Sequence, residues 1–278
     1  MSVTSESRVL ALLGDPVQHS ASPRIQNAAL ERAGLDGVYV ALRCGPDDVV
    51  GLMRGLARAG GGGNVTLPHK ERAAGMLDVA SDAVRRTGAC NTFWGDEEGR
   101  LHGDNTDVEG FRRALRSFLP DSAGIRALLL GAGGAARAAL HGLIEEGAED
   151  ILIYNRTAER ARAVARRIGG RHARVATGRD DVEGQEFDLV VNATRLGLDP
   201  TDPSPLDFTL LGRVGAAMDL VYAPEPTPFL QAAGRRSVRG TDGREMLVQQ
   251  AAASFELWWD VPADTAAMRA ALVEPAAV

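Results

Sequence analysis

The chain reads IRALLLGAGGAA from residue 125 to residue 136, an apolar run that passes directly into a glycine-rich turn. The run is typical of a buried strand, and a helical pattern follows from residue 135 to residue 146. Gly131, Gly133 and Ala136 therefore have the GxGxxA spacing of a dinucleotide-binding turn. The first glycine permits the tight turn, the second lets the backbone approach a pyrophosphate, and the small alanine lets helix and sheet pack closely. A tight turn without a ligand has the same pattern; the candidate cofactor residues are Gly131, Ala132, Gly133, Gly134 and Ala135.

Helical and strand patterns alternate along the rest of the chain, which indicates an α/β protein with parallel sheets. Predicted strands cover residues 9–14, 38–42, 64–67, 89–94, 100–103, 125–130, 150–154, 187–191 and 216–220. Predicted helices cover residues 23–33, 47–59, 108–118, 135–146, 158–168 and 245–259, and another begins at residue 70. Ser22 is expected to cap the first helix, with Pro23 in its first turn. Glycines 60–63 are expected to form a turn.

Composition restricts the class of protein. A length of 278 residues exceeds one typical domain, so two compact units are expected. The sequence has no run of eighteen apolar residues that would indicate a membrane span. Residues 1–8 lack the pattern of a signal peptide, which makes the cytoplasm the expected location. The net charge of −6 is spread over both signs without a basic stripe, so no nucleic-acid partner is expected.

Cysteine and histidine spacing does not match the common metal sites. Cys44 and Cys90 form no CxxC pair, and we expect them to be buried free thiols. The five histidines form no HExxH pattern. The sequence therefore predicts no metal site.

The residues after the predicted strand 150–154 indicate which dinucleotide is bound. A site specific for NAD usually has Asp or Glu there, whereas this chain has Asn155, Arg156 and Thr157, with Arg160 one turn later. The guanidinium of Arg156 could pair with a 2′-phosphate, and the hydroxyl of Thr157 could both donate to it and cap the next helix. NADP is therefore the predicted cofactor. The alternative is that Asn155 and Thr157 only cap the helix and the arginines are surface charge.

A lysine and a carboxylate end two polar segments. Lys70 ends NVTLPHK (64–70), and Asp107 ends GDNTD (103–107). If the two side chains meet, Asp107 would hold the ammonium while Lys70 exchanges a proton with an alkoxide or carbonyl oxygen as a hydride moves. An ordinary ion pair between two segments is the alternative. Ser20 and Ser22 precede a helical pattern, where two hydroxyls could bind a carboxylate.

Seven segments occur in an order and spacing that resemble one family. They are GDPVQHSASP (14–23), NVTLPHK (64–70), GACNT (88–92), GDNTD (103–107), GAGGA (131–135), NRT (155–157) and NAT (192–194). The chain resembles shikimate dehydrogenase over nearly its whole length. The resemblance implies reversible reduction of 3-dehydroshikimate to shikimate with NADPH, and two domains. Residues 1–106 with 243–278 would bind the substrate and carry the catalytic residues, and residues 107–242 would form a Rossmann-like NADP domain.

The resemblance also implies roles for single residues. Lys70 and Asp107 match the catalytic pair. The implied substrate contacts are Ser20, Ser22, Thr66, Lys70, Asn91, Asp107, Tyr222 and Gln250. The implied cofactor contacts add Asn155, Arg156, Thr157, Arg160 and Thr194 to the glycine turn. The expected partner is a small molecule, without nucleic acid or membrane, and a homodimer is left open.

Two positions depart from the family's pattern. Arg195 follows Asn-Ala-Thr where Ser is common, and Arg244 precedes Met246 in a stretch that is usually small or apolar. His69 and the GACNT segment occur in branches that use quinate or amino-substituted substrates, whereas Ser rather than Thr at position 22 favours shikimate. The alternatives are therefore a quinate/shikimate or amino-shikimate dehydrogenase, a sensor that has lost catalysis, and a structural subunit that binds no dinucleotide.

Overall fold

The chain folds into two compact α/β units in a computed structural model that describes residues 3–273. Unit 1 contains the residues up to Gly110 together with those from Val248 onward, and unit 2 contains Phe111–Leu247. Residues 1–2 and 274–278 of the predicted substrate domain lie outside the described residues. The α/β class predicted from the alternating patterns is confirmed. The assignment of one unit to substrate and the other to NADP stays a prediction.

Unit 1 is built on a six-stranded mixed sheet with the order β2-β1-β3-β5-β6-β4. The strands are β1 Arg8–Gly14, β2 Gly37–Arg43, β3 Gly62–Val65, β4 Val79–Ala80, β5 Thr92–Gly95 and β6 Leu101–Asp104. The helices are α1 Ser22–Ala33, α2 Val49–Arg58, α3 Lys70–Ala74, α4 Asp82–Thr87, the first turn of α5 Thr106–Phe118, most of α9 Arg244–Trp259, and α10 Thr265–Val273.

The prediction of parallel sheets is wrong for part of unit 1. Strand β5 pairs antiparallel with both β3 and β6. A turn of five residues separates β5 from β6, and so short a connection joins only antiparallel neighbours. The pairs of β1 with β2 and β3, and of β4 with β6, are parallel.

Unit 2 is built on a six-stranded parallel sheet with the order β12-β11-β10-β7-β8-β9. The strands are β7 Arg126–Leu130, β8 Asp150–Tyr154, β9 Ala173–Ala176, β10 Phe187–Asn192, β11 Val214–Asp219 and β12 Arg239–Thr241. The helices are α6 Gly134–Glu145, α7 Ala158–Val164 and α8 Pro228–Arg235, with the remainder of α5 and the start of α9. The strand order changes direction at β7, which is where dinucleotides bind in sheets of this order.

Strand β7 is continuously apolar because both of its faces are covered. Ala127 and Leu129 belong to the core on one face of the sheet, and Leu128 and Leu130 belong to the core on the other face. All four are at most 1% exposed. The apolar run that precedes the glycine-rich turn therefore forms β7, an interior strand of the sheet of unit 2.

Some local predictions are wrong. Ala21, not Ser22, is the N-cap residue of α1, because its carbonyl oxygen accepts the backbone N–H of Ile25 at 3.1 Å and the helix therefore begins at Ser22. The glycine run does not form a turn throughout, since Gly62 and Gly63 belong to β3. A β-carbon at Gly63 would lie 2.0 Å from the carbonyl oxygen of Ala11, so the close approach of β1 requires glycine.

Two further predictions are corrected in unit 2. The helix predicted for residues 158–168 consists of α7 and a separate π-helical turn, Ala165–Gly169. Thr157 does occupy the N-cap position of α7, but within residues 3–273 its hydroxyl makes no capping hydrogen bond.

Cys44 and Cys90 of unit 1 are buried free thiols, as predicted. In the described part of the chain, no helix is both long and apolar enough to cross a bilayer.

Candidate active site

Lys70 and Asp107 lie together in unit 1. Lys70 is the first residue of α3, and Asp107 is in the first turn of α5. The Lys70 Nζ donates to Asp107 Oδ2 at 2.6 Å. Their side chains are 18% and 12% exposed, so the pair is largely shielded but still reachable from solvent. This geometry brings together two residues that the sequence separates by 37 positions.

The backbone around Lys70 is held in position by contacts of His69 and of a neighbouring backbone segment. The segment between β3 and α3 is fixed by His69, a buried residue whose Nε2 lies 2.9 Å from the carbonyl oxygen of Cys44. The Cys90 N–H donates to the carbonyl oxygen of Lys70 at 2.9 Å. Lys70 is therefore held from both the β2–α2 loop and the segment before β5.

Asn91 fixes the other end of the pair. Its Nδ2 donates to Asp107 Oδ1 at 2.9 Å, and its Oδ1 accepts the backbone N–H of Thr106 at 2.7 Å. One Asp107 oxygen therefore faces the lysine and the other faces an amide. A carboxylate held by two separate donors has little freedom to rotate.

A buried network extends this arrangement through residues that the sequence did not identify as site residues. Asn64 Nδ2 donates to Ser254 Oγ at 3.0 Å and to Thr92 Oγ1 at 2.9 Å. The Tyr39 hydroxyl donates to Asn64 Oδ1 at 2.7 Å, and the Ser254 and Thr106 hydroxyls lie 2.9 Å apart. Buried polar groups need such partners. The Asn and Thr residues that precede both Lys70 and Asp107 were the signal that could have indicated this network.

Gln250 reaches the same region from α9. Its Oε1 lies 3.4 Å from Asn91 Nδ2, the outer limit of a hydrogen bond. A β-carbon at Gly110 of α5 would lie 2.6 Å from the Gln250 β-carbon, so only glycine lets α5 and α9 approach this closely. The close approach of the two helices brings together Gln250 and Asn91, which were both predicted to be substrate contacts.

The remaining predicted substrate residues of unit 1 carry hydroxyls near the ends of β1 and β3. Ser20 Oγ and Ser22 Oγ are 3.2 Å apart at the start of α1. Thr66 follows β3 and is half-buried, and its backbone N–H donates to the carbonyl oxygen of Leu13 at 2.8 Å. In the described residues the Thr66 hydroxyl has no hydrogen-bond partner.

The glycine turn of unit 2 has the form needed for a phosphate. Gly131 has φ of +112°, and a β-carbon there would lie 2.8 Å from the carbonyl oxygen of Ala193. Gly133 is the N-cap residue of the twelve-residue helix α6, and no side chain within residues 3–273 caps it. The first N–H groups of α6 point along the helix axis without intrahelical acceptors, which suits a dianion. The residues present therefore fit the pyrophosphate of a dinucleotide.

The second cofactor segment follows β8. Asn155 Nδ2 donates to the carbonyl oxygen of Thr157 at 2.8 Å, which shapes the turn into α7. Arg156 and Arg160 are exposed, and among the described residues neither forms an ion pair. Two unneutralised guanidinium groups thus flank the turn where a 2′-phosphate would be bound.

Thr194 and Tyr222 follow the neighbouring strands β10 and β11. The Thr194 hydroxyl donates to Asn192 Oδ1 at 2.7 Å and accepts the backbone N–H of Leu196 at 3.1 Å. Asn192 Nδ2 in turn donates to Asp219 Oδ1 at 2.9 Å. Asn192 and Asp219 were not predicted, although both are buried polar residues at strand ends.

Asp219 is an ionisable group in the core of unit 2. Burial raises the pKa of Asp219 to about 6, and hydrogen bonds from Thr227, Val221 and Asn192 oppose the rise.

Within the part of the chain that the structure describes, no cluster of His, Cys, Asp and Glu side chains could hold a metal ion.

These features define a two-unit α/β protein in which one unit has a Rossmann-type sheet and glycine turn and the other holds a lysine–carboxylate pair. The shikimate dehydrogenase (NADP(+)) of Magnetococcus marinus is 38% identical over 265 residues, which are 93% of each chain. This chain belongs to the shikimate dehydrogenase family, and the resemblance inferred from the seven segments is confirmed.

Family models match the chain in three parts. The shikimate dehydrogenase substrate binding domain matches residues 12–93, shikimate / quinate 5-dehydrogenase matches residues 113–196, and the shikimate 5′-dehydrogenase C-terminal domain matches residues 243–273.

Solved structures are similar over almost the whole chain. The crystal structure of shikimate 5-dehydrogenase from Thermus thermophilus in complex with NADP(H) and shikimate has a TM-score of 0.86 and 41% identity, over 95% of this chain and 97% of that one. Quinate dehydrogenase from Corynebacterium glutamicum in complex with NAD has a TM-score of 0.86 and 28% identity, over 96% and 99%.

Asp219 should make the stability of the chain depend on pH. Its folded pKa of about 6 is above the ordinary value of 3.8, so the native state binds the proton more tightly than the unfolded state. This contribution is fully present below the unfolded pKa and is lost as pH rises through the folded pKa. The free energy of unfolding of the native chain, minus that of Asp219→Asn, should therefore fall by about 2 kcal/mol between about pH 4 and about pH 7. Urea titrations across this range measure the difference, and a constant difference would contradict the prediction.

Proposed function

We propose that this chain catalyses the reversible reduction of 3-dehydroshikimate to shikimate with NADPH. The observation that carries the proposal is the Lys70–Asp107 contact at 2.6 Å, held inside a buried polar network in a member of this family. Reduction of a ketone needs a proton donor next to the carbonyl oxygen, and the Lys70 ammonium is such a donor.

Composition adds a second argument for Lys70. The chain contains 30 arginines and a single lysine, Lys70. Arginine serves every other cationic position, and its guanidinium cannot release a proton in the range where enzymes work. An ammonium can exchange a proton with a substrate oxygen. Lys70 thus stands at the position where the proposed reaction would have to move a proton.

The residues of unit 1 would bind and orient the substrate. Ser20 and Ser22 would donate to its carboxylate at the start of α1, and Thr66, Asn91 and Gln250 would contact its ring hydroxyls. Asp107 would accept from a ring hydroxyl while keeping the Lys70 ammonium in place. Tyr222 of unit 2 is the remaining proposed substrate contact.

The residues of unit 2 would hold NADP. The amides of the turn from Gly131 to Ala135 would bind the pyrophosphate. Asn155, Arg156, Thr157 and Arg160 would bind the ribose and its 2′-phosphate, and Thr194 would line the nicotinamide end. The bound cofactor supplies the hydride, and the chain positions the reactants.

The proton step then follows from the ion pair. As negative charge develops on the substrate oxygen, Lys70 Nζ donates a proton to it, and Asp107 Oδ2 stabilises the ammonium before transfer. In the direction of oxidation, Lys70 takes the hydroxyl proton back. Asn91 keeps the carboxylate from turning away by its hydrogen bond to Oδ1 at 2.9 Å.

The rival functions can be separated by assay. Similarity to a quinate dehydrogenase at 28% identity is weaker than the 41% to the shikimate enzyme from Thermus thermophilus. Comparison of kcat/KM for shikimate, quinate and an amino-shikimate, each with NADP⁺ and NAD⁺, decides the substrate. Binding of NADP⁺ without turnover of any of them would indicate a sensor, and a thermal shift with NADP⁺ would exclude a structural subunit. The cytoplasmic location stays a prediction that cell fractionation can test, and light scattering can decide between a monomer and a homodimer, which the sequence leaves open.

Replacement of Lys70 should abolish most activity without affecting the cofactor. Lys70→Ala and Lys70→Arg should each lower kcat by about 10² to 10⁴, because neither side chain can exchange the proton. Initial rates with shikimate and NADP⁺ measure the loss, and titration calorimetry should give an unchanged Kd for NADP⁺. Arg54→Ala, which removes an exposed ion pair with Asp78, is the control and should retain activity. Full activity in Lys70→Arg would show that only the positive charge matters.

Arg156 should select the phosphorylated cofactor. Arg156→Ala should raise the Kd for NADP⁺ by about tenfold or more and leave the Kd for NAD⁺ nearly unchanged, because only NADP⁺ carries the 2′-phosphate. Arg162 on α7, which pairs with Glu159 instead, provides the matched Arg162→Ala control. Equal losses for both cofactors in Arg156→Ala would mean that this arginine supports folding and not recognition.

A further inference from the structure

The two ends of the segment between β11 and α8 are both hydrogen-bonded to the Asp219 carboxylate. Asp219 Oδ1 accepts the backbone N–H of Val221 at 3.0 Å, and Oδ2 accepts the Thr227 hydroxyl at 2.5 Å. Thr227 is the N-cap residue of α8 and also accepts the backbone N–H of Leu230. The first and last parts of this segment are therefore joined through a buried side chain.

Arg244 holds the same segment next to Tyr222. Its Nη2 donates to the carbonyl oxygen of Ala223, and its Nη1 pairs with Asp242 Oδ2 at 2.8 Å. Asp242 Oδ1 also accepts the backbone N–H of Arg244 at 3.0 Å, which fixes the start of α9. A guanidinium that is oriented by one carboxylate thus binds the backbone of another loop.

The residue on the other side of Tyr222 is held as well. The Val221 carbonyl oxygen accepts the backbone N–H of Gly243 at 3.1 Å. A β-carbon at Gly243 would lie 2.3 Å from the carbonyl oxygen of Leu220, so the two segments are in direct contact. Val221 is therefore bonded to Gly243 and Ala223 to Arg244, and Tyr222 lies between these two bonded residues in the chain.

We propose that Arg244 is a positioning residue that sets the orientation of Tyr222 through the backbone of residues 221–223. The proposal rests on the proposed function in that Tyr222 is taken as a substrate contact. Arg244 does not need to touch the substrate, since its guanidinium is used by Ala223 and Asp242. Its absence should widen the range of positions open to the tyrosine, which weakens substrate binding more than the proton step.

Kinetics of Arg244 variants test the proposal. Arg244→Ala should raise KM for shikimate by about tenfold, lower kcat by less than about threefold, and leave the Kd for NADP⁺ unchanged, because one charge-assisted hydrogen bond is lost at a distance from the cofactor turn. Arg244→Lys retains the positive charge and a nitrogen that can donate hydrogen bonds, so its KM should lie closer to that of the native chain than the KM of Arg244→Ala does. Arg213→Ala, which removes exposed pairs with Glu186 and Asp188 at the start of β11, should leave KM unchanged. A similar rise in Arg213→Ala would overturn the proposal.

A double-mutant cycle shows whether the effect passes through the tyrosine. In a Tyr222→Phe background, Arg244→Ala should change KM by less than about twofold, since the group that it positions has lost its hydroxyl. An undiminished tenfold rise in that background would show that Arg244 acts independently of Tyr222 and would overturn the proposal.

Hydrogen exchange tests the contacts without relying on activity. Amides in residues 220–227 should exchange faster in Arg244→Ala than in the native chain, and those of β7 should not. Unchanged exchange in residues 220–227 would overturn the positioning role. A native chain that fails to turn over shikimate would instead disprove the proposed function, and the exchange result would still decide whether Arg244 orders this segment.

Discussion

The side-chain amide of Asn91 is the contact on which the arrangement of unit 1 depends. It donates to Asp107 at 2.9 Å and accepts from the backbone of Thr106 at 2.7 Å, so it fixes both the carboxylate and the first turn of α5. Its own backbone accepts the Val65 N–H at 2.8 Å and donates to Asp104 at 3.0 Å. One residue therefore joins the end of β3, the end of β6 and α5. Without it, the Asp107 carboxylate would lose the hydrogen bond to Oδ1 that fixes its orientation toward Lys70.

The cost of this arrangement is a set of buried polar groups that must all be paired. Asn64, Thr92 and Ser254 are each less than 9% exposed, and each has more than one hydrogen-bond partner. An unpaired buried amide costs about 1–3 kcal/mol, so the loss of one partner affects the others. A network of this kind favours a single geometry over several similar ones. That property suits a site in which two charged atoms must stay 2.6 Å apart.

Parts of the fold and site could be predicted because they depend on neighbours in sequence. The turn from Gly131 to Gly134 lies between a strand and a helix in the chain itself, and the family's segments gave Lys70 and Asp107 together. The short turn between β5 and β6 indicates that these two strands are antiparallel, whereas the antiparallel pairing of β5 with β3 could not be predicted from local patterns, because these strands are distant in sequence. Ser254 lies 190 residues from its partner Asn64 and has no local pattern that indicates a site. The capping role predicted for Ser22 was wrong because the helix begins one residue earlier than expected: the backbone N–H of Ile25 donates to the carbonyl oxygen of Ala21, which leaves Ser22 inside α1.

Unit 2 shows how a parallel sheet concentrates function at one edge. The strands β7, β8, β10 and β11 all run in the same direction, so the residues that follow them lie along the same edge. Two of those loops begin at Gly131, which is buried and has a positive φ, and at Asn155, which is half-buried. The other two are tied to each other, because Asn192 at the end of β10 donates to Asp219 at the end of β11 at 2.9 Å. The contacts that fix the loops therefore differ along this edge. The loops that would hold phosphates are shaped by glycine and offer backbone amides, whereas the loops with Thr194 and Tyr222 are fixed by hydrogen bonds from buried side chains. Substitutions at Asn192 or Asp219 should consequently disturb both of the latter loops together, because this side-chain hydrogen bond joins the ends of the two strands that precede them.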